Sequence, residues 1–307
     1  PPRSTPLYSS AASDVYKRQV MIKDIYLLVG GEATRLRPLS EGIPKALLTI
    51  KEEPLINIIL DNLSDTNFDN INLICSIKHE AQWKQYQKNS KFNIKLHFER
   101  EKLDTAGYIV QNIDDFEDQF ICMNGDLLIN MDFSLFVNEV SNAKNSTICS
   151  IPVDDPSRYG VLDLDGSKII NFIEKPQDLE YGNNISLGVY CLFREDIQKV
   201  KNKLEIPCSF EKALFPELAR SHLLDCYKVD GEMIDVGTRE SYIFAHTENK
   251  SNWIADGVII GENTKVENSV ILGDCSIGNN VVINNSIICT NSNIESNEEI
   301  NEEIYKK

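Results

Sequence analysis

The sequence lacks the features of membrane-spanning, disulfide-stabilised and nucleic-acid-binding proteins. Its apolar runs all fall short of the roughly 18 residues that a bilayer span needs, so we expect neither a membrane span nor a membrane partner. Its eight cysteines form no CxxC pair, and we interpret them as buried, reduced thiols of a cytoplasmic protein. The 31 basic residues are outnumbered by 47 acidic ones, and the net charge of −16 argues against nucleic-acid binding.

The remaining composition is that of a globular protein with about two domains. The chain has 307 residues, of which 42% are hydrophobic and 25% are charged. Its four histidines show no metal-ligand spacing, so we do not expect a metal site built on histidine.

Residues 1–19 differ in pattern from the rest of the chain. They have no hydrophobic period and no signal-peptide layout. The string SSAASDVYKRQ resembles the translated end of a sequencing-library adapter. We therefore interpret residues 1–19 as a foreign segment, expect it to be disordered and without function, and expect the native sequence to start near Met21.

From Met21 onward, apolar runs alternate with helical patterns. Ile25–Val29 and Phe120–Met123 are typical of buried parallel strands, and Pro54–Leu63 has the spacing of a helix. After about residue 150 the strands favour a more antiparallel arrangement. We therefore predict an α/β domain over residues 20–250, with a Rossmann-like, doubly wound, mixed sheet.

The last part of the chain is repetitive. An aliphatic residue recurs every five or six positions, at Ile254, Ile260, Val266, Ile271, Ile277, Ile283, Ile288 and Ile294. This hexapeptide repeat is typical of a β-helix, in which three hexads form one coil, so we expect about two coils within residues 251–296. We predict a charged, frayed tail over 297–307. The repeat should pack on the preceding domain or mediate self-association, because an end coil leaves an apolar edge.

Phosphate-binding features lie between Gly30 and Lys45, in the segment GGEATRLRPLSEGIPK. A buried strand leads into Gly30 and Gly31, whose backbone can approach phosphate oxygens, and Arg35 and Lys45 would neutralise their charge. The segment contains neither GxxxxGK[ST] nor GxGxxG. Taken alone, it also fits an ordinary strand and loop with surface arginines.

This segment resembles the GGxGTRLRPLT…PKxL signature of sugar-1-phosphate nucleotidyltransferases. Further matches follow in the order of that family, namely LDTAG (103–107), NGD (124–126), YG (159–160), EKP (174–176), LGVY (187–190) and DVGT (235–238). The resemblance covers about residues 21–250, and the repeats resemble the left-handed β-helix of many members. It implies transfer of a nucleoside monophosphate from an NTP to a sugar 1-phosphate, with release of pyrophosphate.

The resemblance also implies residue roles. Asp126 and Asp235 would hold Mg²⁺, Arg35 would stabilise the pyrophosphate, and Lys45 would contact the reacting phosphates. The implied nucleotide-binding residues are Gly30, Gly31, Thr34, Arg35, Asp104, Thr105 and Gly107. The implied sugar-phosphate-binding residues are Gly160, Glu174, Lys175 and Ser186.

Plain structural interpretations stay open beside these roles. Asp126 also fits an Asx turn after its strand, and Asp235 fits the N-cap of the following helix. Glu174 and Lys175 also fit a surface ion pair.

Three positions depart from the family pattern. Ala33 and Asp104 replace the usual glycines of GGxGTR and LGTAG, and Ser186 replaces an asparagine. Alanine would be strained if its backbone needs a positive φ. The Asp104 carboxylate would either accept hydrogen bonds from a guanine edge or point to solvent.

We therefore expect an enzyme, with GTP and mannose- or heptose-1-phosphate as favoured substrates. A glucose-1-phosphate thymidylyl- or uridylyltransferase is the alternative. The departures also fit a non-catalytic regulatory homologue. An acyltransferase in the repeat is disfavoured, because residues 254–294 contain no histidine.

Overall fold

The computed structural model describes residues 22–176, 181–248 and 251–307. The predicted foreign segment 1–19 therefore lies outside the described residues. Within them, no helix combines the length and the apolar character needed to cross a bilayer.

The first part of the chain alternates strands and helices. Up to residue 152 the strands are β1 (Asp24–Leu28), β2 (Thr49–Ile50), β3 (Glu53–Pro54), β4 (Asn70–Ser76), β5 (Ile94–Glu99), β6 (Gln119–Asn124), β7 (Leu127–Asn130) and β8 (Ser146–Pro152). The helices among them are α1 (Leu55–Asn62), α2 (Glu80–Asn89), α3 (Asp104–Gln111) and α4 (Phe133–Val140).

The section up to residue 248 adds more antiparallel pairing. Its strands are β9 (Gly160–Asp165), β10 (Lys168–Glu174), β11 (Asn184–Phe193), β12 (Leu224–Lys228) and β13 (Glu232–Asp235). Its helices are α5 (Arg194–Val200), α6 (Phe215–Arg220) and α7 (Arg239–Thr247), and a π-helical turn, Phe210–Leu214, leads into α6.

The main sheet is mixed and is covered on both faces. Within the described residues it has nine strands in the order β5-β4-β1-β6-β11-β8-β12-β10-β9. Leu27 lies in one apolar cluster with residues of α1, α4 and α7, whereas its neighbour Tyr26 lies in a second cluster with residues of α3, α5 and α6. Successive side chains of a strand point to opposite faces, so helices cover both faces, and the predicted doubly wound α/β fold is confirmed.

A small antiparallel ladder lies beside the main sheet. It pairs β7 with β13, in a register that places Asp235 opposite Leu127, the residue after Asp126. Strands β1, β4, β5 and β6 run parallel, so their carboxyl ends meet at one edge. The ladder therefore brings a distant part of the chain to this edge.

Residues 252–305 form the predicted β-helix. Its strands are β14 (Asn252–Ile254), β15 (Ile259–Ile260), β16 (Lys265–Glu267), β17 (Ser269–Ile271), β18 (Ser276–Ile277), β19 (Val282–Asn284), β20 (Ile287–Ile288), β21 (Asn293–Ile294), β22 (Glu299–Asn301) and β23 (Ile304–Tyr305). They stack in three parallel sheets, and partners such as Val270 and Ile287 lie 17 residues apart (287 − 270). The left-handed sense stays a prediction.

The expected frayed tail over 297–307 is wrong. β22 pairs with β19 and β23 pairs with β20, so the β-helix continues to residue 305 and has about three coils instead of about two. Ile300 is buried in its core. Ile300 and Tyr305 continue the five- or six-residue period, but the acidic residues between them made the segment look like a solvated tail.

The β-helix packs on the α/β part through α7. Val270 and Leu272 share an apolar cluster with Tyr242 of α7. The Arg239 guanidinium at the start of α7 donates a hydrogen bond to the Glu302 carbonyl. The predicted packing of the repeat on the preceding domain is thus observed. The predicted domain boundary at residue 250 falls on residues 249 and 250, outside the described residues.

Candidate active site

Two aspartates and a lysine form the centre of the site. The ladder of β7 and β13 brings Asp126 and Asp235 to the same strand edge. The Lys45 ammonium donates to Asp126 Oδ2 at 2.8 Å and to Asp235 Oδ1 at 2.7 Å. The Lys45 side chain is 8% exposed, while the two carboxylates are 33% and 39% exposed. Both carboxylates therefore converge on one cation and still face solvent.

The Arg35 guanidinium lies next to this cluster, in space that stays free because residue 237 is a glycine. A Cβ atom at Gly237 would lie 2.9 Å from Asp235 Oδ1, 3.1 Å from Arg35 Nη2 and 3.3 Å from Lys45 Nζ. A larger residue at position 237 would push these groups apart. Arg35 makes no hydrogen bond or ion pair with the residues that the structure describes, so its guanidinium is available to an anionic ligand.

A large cleft opens on one side of the cluster, with a volume of about 870 Å³. Arg35, Asp126 and Asp235 lie on its wall. The predicted sugar-phosphate-binding residues also lie on its wall, and they are Gly160, Glu174, Lys175 and Ser186. The structure thus gathers this predicted set around one cavity.

Glu174 and Lys175 form an ion pair inside this cleft, with 3.1 Å between Lys175 Nζ and Glu174 Oε1. The ion-pair interpretation is therefore observed, and the binding role of the two residues stays a prediction. A Cβ atom at Gly160 would lie 2.3 Å from Phe172 Cζ and 3.3 Å from Glu174 Oε2. Glycine at this position lets the backbone lie against the aromatic ring and the carboxylate.

A smaller cleft of about 260 Å³ opens on the other side. Gly30, Gly31, Asp104 and Thr105, all predicted to bind nucleotide, lie on its wall. Asn124 and Asp126 line both clefts. Ligands in the two cavities would therefore meet beside the Asp126 carboxylate.

Three predicted nucleotide-binding residues do not line the small cleft: Arg35 lines only the large cleft, and Thr34 and Gly107 line neither. Gly107 is buried within α3, where a Cβ atom would lie 2.8 Å from Leu103 Cβ, so this glycine serves close packing and not either cleft. Thr34 lines a separate hollow with Lys78 and His79. Sequence order alone did not show which side chains turn away from the cavity.

The departures from the family pattern have simple structural outcomes. Ala33 has φ −79°, so it carries no positive-φ strain. Asp104 has φ +65°, which explains why glycine is favoured there, and its carboxylate accepts a hydrogen bond from Thr105 N at 2.9 Å. Asp235 does not cap the following helix, because Thr238 is the N-cap of α7.

Sequence reasoning missed several residues on the cleft walls. They are Glu99 and Lys102 in the small cleft, Arg158 and Glu211 in the large cleft, and Asn124 in both. Glu99 ends β5, a strand that was not predicted although Ile94, Leu96 and Phe98 alternate with polar residues. Asn124 and Arg158 are part of, or next to, the NGD and YG matches.

Glu99 is a carboxyl group with a raised pKa on the wall of the small cleft. Burial, reinforced by the nearby negative charge of Asp104, raises the pKa of Glu99 to about 7. A carboxyl group with this pKa changes charge near neutral pH.

The carboxylate pair fits a divalent cation. Asp126 and Asp235 already approach a single ammonium group, and Mg²⁺ uses one or two carboxylates together with phosphate oxygens and water. Among the described residues, no group of three or more His, Cys, Asp or Glu side chains converges as a ready-made metal site. Any bound cation would therefore depend on ligand phosphates to complete its coordination.

Comparison with known families decides the class of this site. The profile described as Nucleotidyl transferase matches residues 25–252, which contain every residue of the charged cluster and both clefts. The chain belongs to the nucleotidyl transferase family. A second profile, described as GlmU-like C-terminal hexapeptide, matches residues 227–306 and covers the β-helix. The family resemblance that the motifs indicated is confirmed.

Curated relatives of this nucleotidyl transferase carry guanyltransferase names. Mannose-1-phosphate guanyltransferase of Saccharomyces cerevisiae is 31% identical over 71% of this chain and 62% of its own length. Mannose-1-phosphate guanyltransferase 2 of Candida glabrata is also 31% identical, with the same coverage of 71% and 62%. The chain thus spans less than two thirds of these fungal relatives.

A solved structure of HddC from Yersinia pseudotuberculosis is also similar. It is 27% identical to this chain, with a TM-score of 0.62, over 74% of this chain and 99% of the HddC chain.

Proposed function

We propose that this protein transfers a nucleoside monophosphate from a nucleoside triphosphate to a sugar 1-phosphate. The observation that carries the proposal is the cluster of Arg35, Lys45, Asp126 and Asp235 where the two clefts meet. A triphosphate in the small cleft and a sugar 1-phosphate in the large cleft would place their reacting phosphates beside this cluster.

The reaction needs positioning and charge neutralisation more than a protein nucleophile. An oxygen of the sugar 1-phosphate forms a new bond to the α-phosphorus, and the bond from that phosphorus to the bridging oxygen of the pyrophosphate breaks. Arg35 and Lys45 carry the positive charge that offsets the charge on the departing pyrophosphate.

Asp126 and Asp235 would hold Mg²⁺, which when bound neutralises phosphate charge and orients phosphate oxygens. Lys45 shares both carboxylates, so it keeps the two aspartates together and presents its positive charge at the same point.

The small cleft favours a guanine base. Its wall carries the two acceptor carboxylates of Glu99 and Asp104, and the Watson–Crick edge of guanine presents adjacent N–H donors. The mannose-1-phosphate guanyltransferase names of the fungal relatives support GTP and mannose 1-phosphate as the first substrate pair to test.

Heptose 1-phosphate is a second sugar substrate, and glucose-1-phosphate thymidylyl or uridylyl transfer is the alternative.

Seven of the eight cysteine thiols, all within the described residues, are buried, which supports a cytoplasmic location.

A substrate panel tests the proposal. Purified protein with Mg²⁺ is given each common nucleoside triphosphate together with mannose-, heptose- or glucose-1-phosphate, and pyrophosphate release is measured. We expect the fastest release with GTP and mannose 1-phosphate. Nucleotide binding without release in any pair would favour a non-catalytic regulatory homologue.

A further inference from the structure

Glu211 lies on the wall of the large cleft, and its carboxylate is held in place by a hydrogen bond from a residue of the small cleft. Its Oε2 atom accepts hydrogen bonds from Thr105 Oγ1 at 2.9 Å and from Ser209 Oγ at 2.6 Å. Thr105 lines the small cleft. One carboxylate therefore links the walls of the two cavities.

Backbone contacts make this link rigid. Phe210 N donates to Thr105 Oγ1 at 2.9 Å, Ala106 N donates to Cys208 O at 2.8 Å, and Cys208 N donates to Leu103 O at 2.9 Å. The start of α3 and the segment before Glu211 are thus held together by side-chain and main-chain hydrogen bonds. A displacement of one would be transmitted to the other.

The turn that carries Glu211 packs against a cluster of buried aromatic rings. Phe210 is fully buried, and its ring centroid lies 5.2 Å from that of Tyr190 and 5.1 Å from that of Phe215. The turn is π-helical, a local geometry that often marks functional sites. A side chain on such a support is held in place before a ligand arrives.

The two carboxylate oxygens of Glu211 have different surroundings. Oε2 receives both hydroxyl hydrogen bonds, whereas no residue within the described ranges donates to Oε1. An ionised carboxylate accepts hydrogen bonds on both oxygens, and sugar hydroxyls are donors. Glu211 therefore keeps one acceptor oxygen for a hydroxyl group of a ligand in the large cleft.

We propose that Glu211 accepts a hydrogen bond from a hydroxyl of the sugar and thereby contributes to the choice of sugar, while Thr105 transmits its position to the nucleotide side. The inference rests on the proposed function, because it assumes a sugar 1-phosphate in the large cleft. It adds a residue outside the EKP and LGVY segments to the sugar-binding wall.

The test compares Glu211→Gln, Thr105→Val and Thr105→Ser with the wild type. Calorimetric titration gives the Kd of mannose 1-phosphate and of GTP separately, so binding is measured even without turnover. We expect Glu211→Gln to weaken sugar 1-phosphate binding about tenfold and GTP binding less than threefold. Thr105→Val should weaken sugar binding by a smaller factor than Glu211→Gln does, and Thr105→Ser, which keeps the hydroxyl, should weaken it less than Thr105→Val.

Monodeoxy analogues of mannose 1-phosphate separate direct contact from general damage. We expect the wild type to bind one analogue about tenfold more weakly than the parent sugar, and Glu211→Gln to bind both equally. Glu205→Gln, an exposed change in the loop before the turn, is the matched control and should keep every wild-type value.

Equal discrimination of all analogues by the wild type and Glu211→Gln would overturn the inference. So would equal losses of sugar and GTP affinity. Absence of pyrophosphate release by the wild type would instead contradict the proposed function, and the titrations would still report on Glu211.

Discussion

The α/β part and the β-helix place their residues by opposite means. In the α/β part, β1 pairs with β4 and β6, so Ile25 lies between Ile71 and Ile121. In the β-helix each strand pairs with the strand one coil later, as Val270 pairs with Ile287. Long-range pairing brings unlike loops to one edge, whereas the repeated coil stacks like residues on like.

The two regions also use their polar residues differently. The α/β part brings Lys45, which begins a 3-10 turn, together with Asp126 and Asp235 at strand ends. The β-helix uses its polar residues to turn corners, with positive φ at Asn263, Asn268, Asp274, Asn280, Asn285, Asn291, Asn297 and Glu302. Asparagine and aspartate tolerate this conformation better than most residues. We infer from this difference that the α/β part carries the proposed chemistry and that the β-helix supports it, and four experiments test this inference.

The largest expected effect belongs to the charged cluster. Asp126→Asn should lower kcat/KM about 10³-fold, because it removes one of the two carboxylate charges proposed to hold Mg²⁺ and leaves the packing nearly unchanged. Steady-state kinetics and thermal unfolding of the same sample check both parts. Asp256→Asn, an exposed change in the β-helix, is the control and should keep full activity. Full activity of Asp126→Asn would contradict the assignment.

The next effect lies in the coil and concerns stability. Ile283→Ala removes a fully buried side chain and should lower the free energy of unfolding by about 2–5 kcal/mol. kcat at low temperature should stay near the wild-type value. Denaturant unfolding followed by the fluorescence of Trp83 and Trp253 measures the loss. Ile259→Ala is the control, because this side chain is 68% exposed in the wild type. A large loss of kcat at low temperature would show that the coil also acts on the chemistry.

The raised pKa of Glu99 predicts that nucleotide binding in the small cleft depends on pH. Its pKa of about 7 means that lowering the pH from 8 to 6 protonates most of this carboxyl group. GTP binding should then weaken by about tenfold beyond the change seen in Glu99→Gln, which cannot ionise. Asp104→Asn should move the midpoint to lower pH, because it removes a negative charge that raises the pKa of Glu99. Titrations across this range that are equal in wild type and Glu99→Gln would exclude the role.

A last effect, of about the same free energy, lies at the junction of the two regions. His246 of α7 is buried against Trp253, with ring centroids 4.9 Å apart, and burial lowers the pKa of His246 to about 4. The unfolded chain binds a proton near pH 6.5, so acid favours unfolding between about pH 6.5 and 4. At pH 5.5 the free energy of unfolding should fall by about 1.4 kcal/mol from this group.

Unfolding curves from pH 8 to 5 for the wild type and His246→Phe measure this contribution. The variant should lose less stability on acidification, while His222→Gln, an exposed change, should follow the wild type. Parallel curves for the wild type and His246→Phe would show that His246 does not titrate in the junction.

The sequence by itself determined the class of each region. Apolar runs and helical spacing gave the α/β part, and the period of five or six residues gave the coil, because both depend on neighbours close in the chain. The motifs named Asp126, Asp235, Arg35 and Lys45, and the structure places all four in one cluster.

Only the tertiary structure decided which residues share a cavity. Glu211 and Thr105 meet although they lie 106 residues apart, and the pairing of β5 with β4 places Glu99 opposite Ser76 at the strand edge. Gly107 is packed in the interior and does not line a cleft, and the acidic end of the chain forms a further coil of the β-helix. Such outcomes depend on the register between distant segments and on which face each side chain points to, and local composition carries neither.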